Sequence, residues 1–150
     1  KSIDDGVTWS TVDDFANGGT STTQAEGMAR DSLGNLYVAG TAANASAARL
    51  VLRKSTNAGA TWSTIDDYSQ SPLSPMYGTG IAIDSSDNLY QMSNFAGLNC
   101  WVRRSTNGGA SWNDVLVNPF GGFCNAGQLA VDTTNRVYAF VSYRFNTPID

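Results

Sequence analysis

Apolar and polar residues alternate over several short stretches of this chain, which is the pattern of half-buried β-strands. Residues 36–38, 50–53 and 137–141 are rich in branched and aromatic side chains and are bounded by turn residues. Asp31, Gly34 and Asn35 form one such turn signal, and Asn-x-Gly recurs at 57–59 and 107–109. No stretch combines helical periodicity with helix caps. The pattern therefore predicts short strands joined by tight turns.

Two different segments recur along the chain with one common period. The first ends in tryptophan, and its copies begin at Ser2, Ser55 and Ser105, which are 53 and 50 residues apart. The second ends in tyrosine and contains an aspartate, and the three aspartates are 53 and 48 residues apart. They are Asp31, Asp84 and Asp132. Two independent markers with one period indicate a single segment of three repeat units, approximately 1–53, 54–103 and 104–150.

Each unit has the size of one blade of a β-propeller, which holds four short strands. A β-helix has a much shorter period and is the weaker alternative. The predicted fold class is therefore all-β, with propeller blades of four antiparallel strands and about three blades in this chain. We expect Trp9, Trp62 and Trp112 to pack between neighbouring blades and Trp101 to be a core residue.

The tryptophan-containing segment resembles the Asp-box, or BNR repeat, of sialidases and related β-propellers. The first copy matches the family pattern fully, whereas Asn57 and Asn107 replace its aspartate and Ser111 replaces its threonine. The residues concerned are Ser2, Asp4, Gly6, Thr8 and Trp9, then Ser55, Asn57, Gly59, Thr61 and Trp62, then Ser105, Asn107, Gly109, Ser111 and Trp112. The resemblance implies a structural role for them. It implies no single activity, because Asp-boxes occur in hydrolases, receptors, assembly factors and adhesins.

Three blades are fewer than the ~4–8 that usually close a propeller ring. Either further blades of a longer parent chain or a second copy of this chain must then complete the circle. Two copies would give six blades, the number found in the sialidases that the chain resembles. We favour a longer parent chain, because the sequence stops within a predicted strand.

Charge and composition exclude several kinds of partner. The net charge of −4 is opposite to what binding to nucleic acid or an anionic membrane requires. No run approaches the ~20 apolar residues of a membrane span. The absence of histidine argues against a zinc site and against Ser-His or Cys-His catalysis. We therefore assign no catalytic residue, metal or cofactor.

The predicted loops at the two ends of the blades differ in how strongly they repeat. The Asp-boxes and the turns that begin with Asp31, Asp84 and Asp132 are nearly identical between units, so we expect these aspartates to cap their turns. The loops at the opposite end diverge, and binding residues concentrate on variable loops held by a rigid scaffold. We expect a glycan or protein ligand there. The candidate ligand-binding residues are Gln24, Glu26, Arg30, Tyr77, Phe95, Phe120, Phe123 and Gln128.

Arg30 stands where the other units have Ile83 and Val131, on the strand predicted to be innermost. A cation at that position needs an acid, a ligand or water of the central channel. The resemblance to sialidases implies binding of a substrate carboxylate, and a structural salt bridge is the competing interpretation. Glu26, the only glutamate, is a nearby candidate partner. The Arg-Ile-Pro segment and the Tyr–Glu pair of sialidases have no counterpart in this chain.

Cys100 and Cys124 precede a third strand and the next blade's first strand, so we predict a disulfide between them. A disulfide and the loops rich in Ser, Thr, Asn and Gly favour an extracellular or cell-surface location. The sequence thus predicts a secreted, non-catalytic propeller module that binds a glycan or a protein. The alternative is a fragment of a sialidase-like glycoside hydrolase whose catalytic residues lie mostly outside this sequence, and a purely structural assembly module is a third possibility.

Overall fold

The computed structural model describes residues 1–16, 22–43, 48–69, 76–95, 99–117 and 123–144. These residues contain ten strands. They are β1 (Thr22–Arg30), β2 (Leu36–Ala43), β3 (Ala48–Ser55), β4 (Ser63–Tyr68), β5 (Met76–Ile83), β6 (Leu89–Phe95), β7 (Asn99–Ser105), β8 (Asn113–Val117), β9 (Phe123–Val131) and β10 (Val137–Arg144).

The strands pair with their sequence neighbours into three antiparallel sheets. Sheet 1 has the order β1-β2-β3-β4, and sheet 2 has the order β5-β6-β7-β8. Sheet 3 consists of β9 and β10 within the described residues. This meandering order confirms the predicted fold class, an all-β chain with propeller blades of four antiparallel strands.

Successive sheets pack face to face, and the core lies between them. Tyr37, Ala39 and Leu52 of sheet 1 pack against Ile81 and Leu89 of sheet 2. The other face of sheet 2 supplies a second cluster, formed by Ala82, Tyr90, Met92 and Val102 with Leu129 of sheet 3. Because alternate residues of a strand point to opposite faces, sheet 2 is buried on both sides.

The first strands of successive sheets lie closest together. A bulge shifts the register between β1 and β2, and Gly27 follows it. A second bulge shifts the register between β5 and β6, and Gly80 follows that one. A Cβ atom on Gly27 would lie 3.2 Å from the backbone nitrogen of Ile81, and one on Gly80 would lie 3.3 Å from that of Leu129. Glycine therefore allows the backbones of neighbouring first strands to approach, as the inner strands of a propeller must.

The two ends of the sheets differ in the connections that they carry. One end, called the repeated end, carries the turns between first and second strands and the tryptophan-containing turns between third and fourth strands. The opposite end, called the divergent end, carries the loops between second and third strands and those between sheets. The antiparallel order places all the repeated turns on one side and all the divergent loops on the other.

Residues 10–16 contact the third strand of sheet 1, just as β4, the last strand of sheet 1, contacts the third strand of sheet 2. Arg53 of β3 forms an ion pair with Asp13 at 2.7 Å, and its guanidinium stacks over Phe15. Arg103 of β7 makes the corresponding ion pair with Asp66. The N-terminal segment thus occupies the place of a fourth strand that precedes sheet 1.

Candidate functional site

The three tryptophan-containing segments are closed by closely matching hydrogen bonds. In the first, the Asp4 carboxylate accepts from the Thr8 backbone nitrogen at 2.9 Å and from the Thr8 hydroxyl. These bonds and one from Ser2 lower the pKa of Asp4 to about 2. Asn57 accepts from the Thr61 backbone nitrogen at 2.9 Å, but its amide donates to the Thr61 hydroxyl. Asparagine therefore keeps the turn closed by reversing the direction of one hydrogen bond.

The tryptophans of these segments have different surroundings. Trp112 packs against the core between sheets 1 and 2, and Arg103 lies 4.3 Å above its ring. Trp62 is half-buried. Trp9 is exposed, because the described residues provide no sheet to cover it. The predicted packing between blades is confirmed for Trp112, while Trp9 lies at an open side of the molecule.

The aspartates of the second repeated segment cap their own turns, as predicted. The Asp31 carboxylate accepts from the backbone nitrogen and the amide of Asn35 and from the Tyr37 hydroxyl. Burial alone would raise the pKa of Asp31, but these hydrogen bonds lower it overall. Asp84 and Asp132 bind their own turns and the hydroxyls of Tyr90 and Tyr138 in the same way. Each carboxylate serves its own turn, which is a structural role.

Hydrogen bonds also tie the turns of successive sheets to one another. Asp87 accepts from the backbone nitrogen and hydroxyl of Ser32 at 2.8 and 2.6 Å. Asn135 accepts from the backbone nitrogen of Ser85 at 3.0 Å. The first unit has Gly34 at this position and therefore has no side chain with which to reach a preceding turn. These hydrogen bonds at the repeated end therefore stabilise the packing of successive sheets.

A buried cluster supports the divergent end between sheets 1 and 2. It consists of Leu50, Met76 and Trp101, with Tyr68 packed against it, and the rings of Tyr68 and Trp101 are 5.3 Å apart. Each member lies at the strand end beside a divergent loop, the loops being 44–47, 70–75 and 96–98. The cluster, called the loop platform, confirms Trp101 as a core residue and fixes the strands from which these loops leave.

Some of the predicted ligand-binding residues lie near this end of the sheets. Gln24 and Tyr77 occupy equivalent positions of β1 and β5, and both are exposed. Glu26, the extra residue of the bulge, lies at the middle of β1, and Gln128 lies past the middle of β9 toward the repeated end; both are exposed. Phe120 lies outside the described residues, as do the side chains of Phe95 and Phe123.

Arg30 lies at the opposite end of β1 from Gln24. Six residues of strand separate the two, which corresponds to roughly 20 Å. The Arg30 guanidinium lies beside Gly34 in the neighbouring turn and is exposed, and no acid of the described residues pairs with it. The structure therefore places Gln24 and Tyr77 near the divergent end of the sheets, Glu26 at the middle of β1 and Arg30 at the repeated end.

Two arginines that the sequence analysis did not single out line clefts between blades. Arg53 contributes to a cleft of about 470 Å³ between the N-terminal segment and sheet 1, which Gln24 and Trp62 also line. Arg103 contributes to a cleft of about 440 Å³ between sheets 1 and 2, with Asp66, Tyr68 and other residues. A signal was present in the sequence, since Arg53 and Arg103 are 50 residues apart and Asp13 and Asp66 are 53 apart.

Arg103 is almost fully buried between sheets 1 and 2. It binds the Asp66 carboxylate and the side-chain oxygen of Gln91, and it lies 4.8 Å from the Tyr68 ring centre. Burial lowers the pKa of Arg103 and raises that of Asp66, and their mutual attraction opposes both effects. The arrangement joins the outer strand of one blade to the third strand of the next.

Cys100, beside Trp101 at the divergent end, is buried and disulfide-bonded. Cys124, at the start of β9, is the only other cysteine of the sequence. In the part of the chain that the structure describes, no helix is long and apolar enough to cross a membrane. The same residues contain no group of three or more acidic, cysteine or histidine side chains that could hold a metal ion.

Comparison with known proteins supports the architecture. Residues 17–45 match a family model described as a beta-propeller repeat. The match covers β1, the Asp31 turn and β2, which are the inner half of the first sheet. No curated protein matches this chain. The match and the four-stranded antiparallel sheets together identify the sheets as propeller blades.

Proposed function

We propose that this chain is part of a β-propeller that binds a glycan or a protein through its divergent end and has no catalytic activity of its own. The observation that carries the proposal is the loop platform. Leu50, Met76 and Trp101 are buried together and fix the strand ends that flank three loops of unrelated sequence. Variable loops on a rigid support are typical of a binding surface.

The chemistry of the exposed side chains near these loops supports a ligand with both flat apolar and polar groups. The ring of Tyr77 is available for stacking, Gln24 offers an amide near the same end, and Glu26 offers a carboxylate further along β1. Sugar rings present this combination of groups, and so do loops on the surface of a partner protein.

The three tryptophan-containing turns are, in this proposal, Asp-boxes of a sialidase-like propeller. Their matching hydrogen bonds support the assignment, since in each box the glycine backbone nitrogen donates to the hydroxyl oxygen of that box's own serine at 2.9 Å. Their role in the proposal is to stabilise the blades and not to bind the ligand.

A secreted or cell-surface location belongs to the same proposal. The disulfide at Cys100 supports an oxidising compartment, because the cytosol keeps most thiols reduced. The disulfide also lies directly beside the loop platform, where it would hold the divergent end rigid outside the cell.

Replacement of Tyr77 tests the proposed surface. The wild-type chain should bind a subset of a glycan array or a defined extracellular protein, and Tyr77→Ala should weaken that binding by roughly 5- to 30-fold, the usual effect of removing an aromatic anchor. Leu33→Ala is the control, because Leu33 is also exposed, at 82% against 43% for Tyr77, but lies at the repeated end. Equal losses in both variants would contradict the assignment of the surface.

A fluorogenic sialoside separates binding from hydrolysis. No turnover is expected from the wild-type chain. Turnover that disappears in Arg30→Ala would instead support the sialidase-like glycoside hydrolase that the Asp-box resemblance also implies, and it would overturn the non-catalytic proposal.

A further inference from the structure

The cleft of about 440 Å³ between sheets 1 and 2 has β4 in one wall and β7 and β8 in the other. Both walls belong to four-stranded sheets, and the volume is within the range of roughly 300–1,000 Å³ that is typical of small-molecule sites. This cleft is called the outer cleft, and its lining includes Asp66, Tyr68, Trp101, Arg103, Trp112 and Asp114. It is therefore large enough for a small ligand and has aromatic and charged groups in its walls.

The side chains around Arg103 differ from those around the equivalent arginine of sheet 1. Gln91 lies opposite Arg103 in the register of β6 and β7, and Trp101 precedes Arg103 by two residues on the same face. The first unit has valine at both of these positions, Val38 and Val51. The repeated arginine and its aspartate therefore do not require an amide or an indole beside them. These two hydrogen-bonding groups distinguish the outer cleft from the cleft beside sheet 1.

Both added groups are buried donors without a partner. Gln91 is fully buried and Trp101 is 6% exposed. Among the described residues, the Gln91 amide nitrogen and the Trp101 indole nitrogen have no hydrogen-bond partner. The Gln91 oxygen accepts from Arg103 at 3.0 Å, so the amide nitrogen faces away from the guanidinium. Because buried N–H groups are nearly always paired, the indole in the wall of the cleft is suited to bind an acceptor that enters it.

The walls of the outer cleft are held rigidly around the guanidinium of Arg103. The ring centres of Tyr68, Trp101 and Trp112 lie 4.8, 5.6 and 4.3 Å from the guanidinium carbon. Asp66 binds the same guanidinium from sheet 1. A site whose side chains are already fixed loses little conformational freedom when a ligand binds. The outer cleft is thus organised for a ligand before one arrives.

Charge determines which class of ligand the outer cleft suits. Its lining holds two carboxylates, Asp66 and the exposed Asp114, but only one guanidinium, that of Arg103. The excess of negative charge disfavours an anionic ligand. A cationic ligand is disfavoured as well, because Arg103 already occupies the space between the aromatic rings. A neutral ligand that has many hydroxyl groups remains, because a hydroxyl can accept from an N–H group and donate to a carboxylate.

We propose that the outer cleft binds a single neutral sugar residue. One hydroxyl of the sugar accepts from the Trp101 indole, and others donate to the carboxylates of Asp66 and Asp114. The apolar face of the sugar ring lies against the aromatic side chains of the walls. This site lies between two sheets and not on the divergent loops, so the inference holds whether or not the surface proposed above binds a ligand.

The indole N–H resonance of Trp101 tests the site directly. The neutral probes are the methyl glycosides of glucose, galactose and mannose, and methyl glucuronide is the anionic probe. In proton–nitrogen NMR, at least one neutral glycoside should shift the Trp101 resonance saturably, because its N–H gains an acceptor. The glucuronide should bind at least about tenfold more weakly. Trp62 lies in the cleft beside sheet 1 and is the internal control, whose resonance should not move. Trp101→Phe identifies the resonance.

A pair of aspartate variants tests the acceptor side. Asp114→Ala should weaken binding of the same glycoside by at least about tenfold, because it removes a charged acceptor. Asp67→Ala is the matched control, since Asp67 is also an exposed strand aspartate but lies outside the outer cleft, where it pairs with Arg49. Its binding should equal that of the wild type, and circular dichroism should be the same for all three proteins.

Three results would overturn the proposal. The first is a Trp101 resonance that no neutral glycoside moves up to high-millimolar concentration, which would leave solvent as the partner of the buried donors. The second is an equal loss of binding in the two aspartate variants. The third is a glycoside that shifts the resonances of Gln24 and Tyr77 but not that of Trp101, which would support the divergent end as the only one of the two sites that binds sugar.

Discussion

At the scale of single residues, short polar side chains determine the turns of this protein. Asp4, Asn57 and Asn107 each accept a hydrogen bond from the backbone nitrogen four residues later at 2.9 Å. The acid and the amide differ only in the second bond, which the carboxylate accepts and the amide donates. The geometry of the turn is therefore the same in all three units, but only the first can respond to pH.

The Thr8 amide should report the protonation of Asp4. The pKa of Asp4 is lowered to about 2 from its ordinary value of 3.8 by hydrogen bonds from the Thr8 hydroxyl and amide. The stabilisation is fully present above about pH 4 and is lost as the pH falls through about 2. We expect the Thr8 amide resonance in NMR to titrate with a midpoint near pH 2. The amides of Thr61 and Ser111, which bind neutral asparagines, serve as internal controls and should not follow this titration.

A substitution separates this effect from general acid unfolding. Asp4→Asn recreates the bonding of the other two units, so the Thr8 amide should lose its titration near pH 2 while the first turn stays closed. A Thr8 midpoint at the ordinary pKa of an aspartate in the wild-type chain would contradict the hydrogen bonding described here.

At the scale of strands and sheets, paired arginines and aspartates join one blade to the next. Asp66 lies on the outer strand of sheet 1 and Arg103 on the third strand of sheet 2, so their ion pair crosses the interface. Asp13 and Arg53 repeat the arrangement at the preceding interface. Burial between two sheets makes the Arg103–Asp66 pair costly to break, because the charge that remains is only partly open to water.

Replacement of Arg103 should therefore be strongly destabilising. Arg103→Met leaves the Asp66 carboxylate unpaired between the sheets and should lower the free energy of unfolding by about 3–5 kcal/mol in urea denaturation. Arg49→Met is the control, because it breaks the exposed pair with the adjacent Asp67 and should cost no more than about 1 kcal/mol. The double variant Arg103→Met, Asp66→Leu should recover much of the loss. Similar losses from the two arginines would contradict a special role for the buried pair.

At the scale of the whole molecule, covalent and packing constraints hold successive blades together. Sheet 2 has both faces covered, whereas sheets 1 and 3 each have one open face. The disulfide at Cys100 lies at the divergent end of sheet 2, and the predicted partner Cys124 belongs to sheet 3. A disulfide between Cys100 and Cys124 would connect sheet 3, which has two described strands, covalently to sheet 2.

Reduction of the disulfide should weaken the molecule. The predicted partners Cys100 and Cys124 are 24 positions apart, and a loop of that length corresponds to about 3–4 kcal/mol in the chain-entropy relation. Urea denaturation with and without reductant measures the loss, and intact mass should rise by two hydrogen atoms on reduction. The double variant Cys100→Ala, Cys124→Ala is the control and should not respond to reductant. Two free thiols in the untreated chain would contradict the pairing.

Much of the fold could be predicted from the sequence because its repeats report local structure. The tryptophan-containing segments and the Asp31, Asp84 and Asp132 turns are closed by hydrogen bonds that span at most six residues. Such bonds depend on residue type and spacing, which the sequence gives directly. The same repeats fix the order of the strands, so that blades of four antiparallel strands and the burial of Trp101 could be expected.

The candidate site could be predicted only in part. Gln24 and Tyr77 lie near the divergent end, as the alternation of repeated and divergent segments indicates, whereas Glu26 lies at the middle of β1. Arg30 lies at the other end of the same strand and on a face that no described sheet covers. Its position in the repeat showed that it replaces Ile83, but not that this position belongs to a contact between sheets.

The sequence alone determined the period, the turns and the strand order of this protein, because these depend on interactions between residues close together in the chain. Only the tertiary structure decided which faces are buried and which are open. Arg103 meets Asp66 across 37 residues, and Tyr138 is exposed although Tyr37 and Tyr90 at the same repeat position are not. Burial of this kind depends on which sheet lies alongside, and identical residue patterns therefore have different surroundings in the three units.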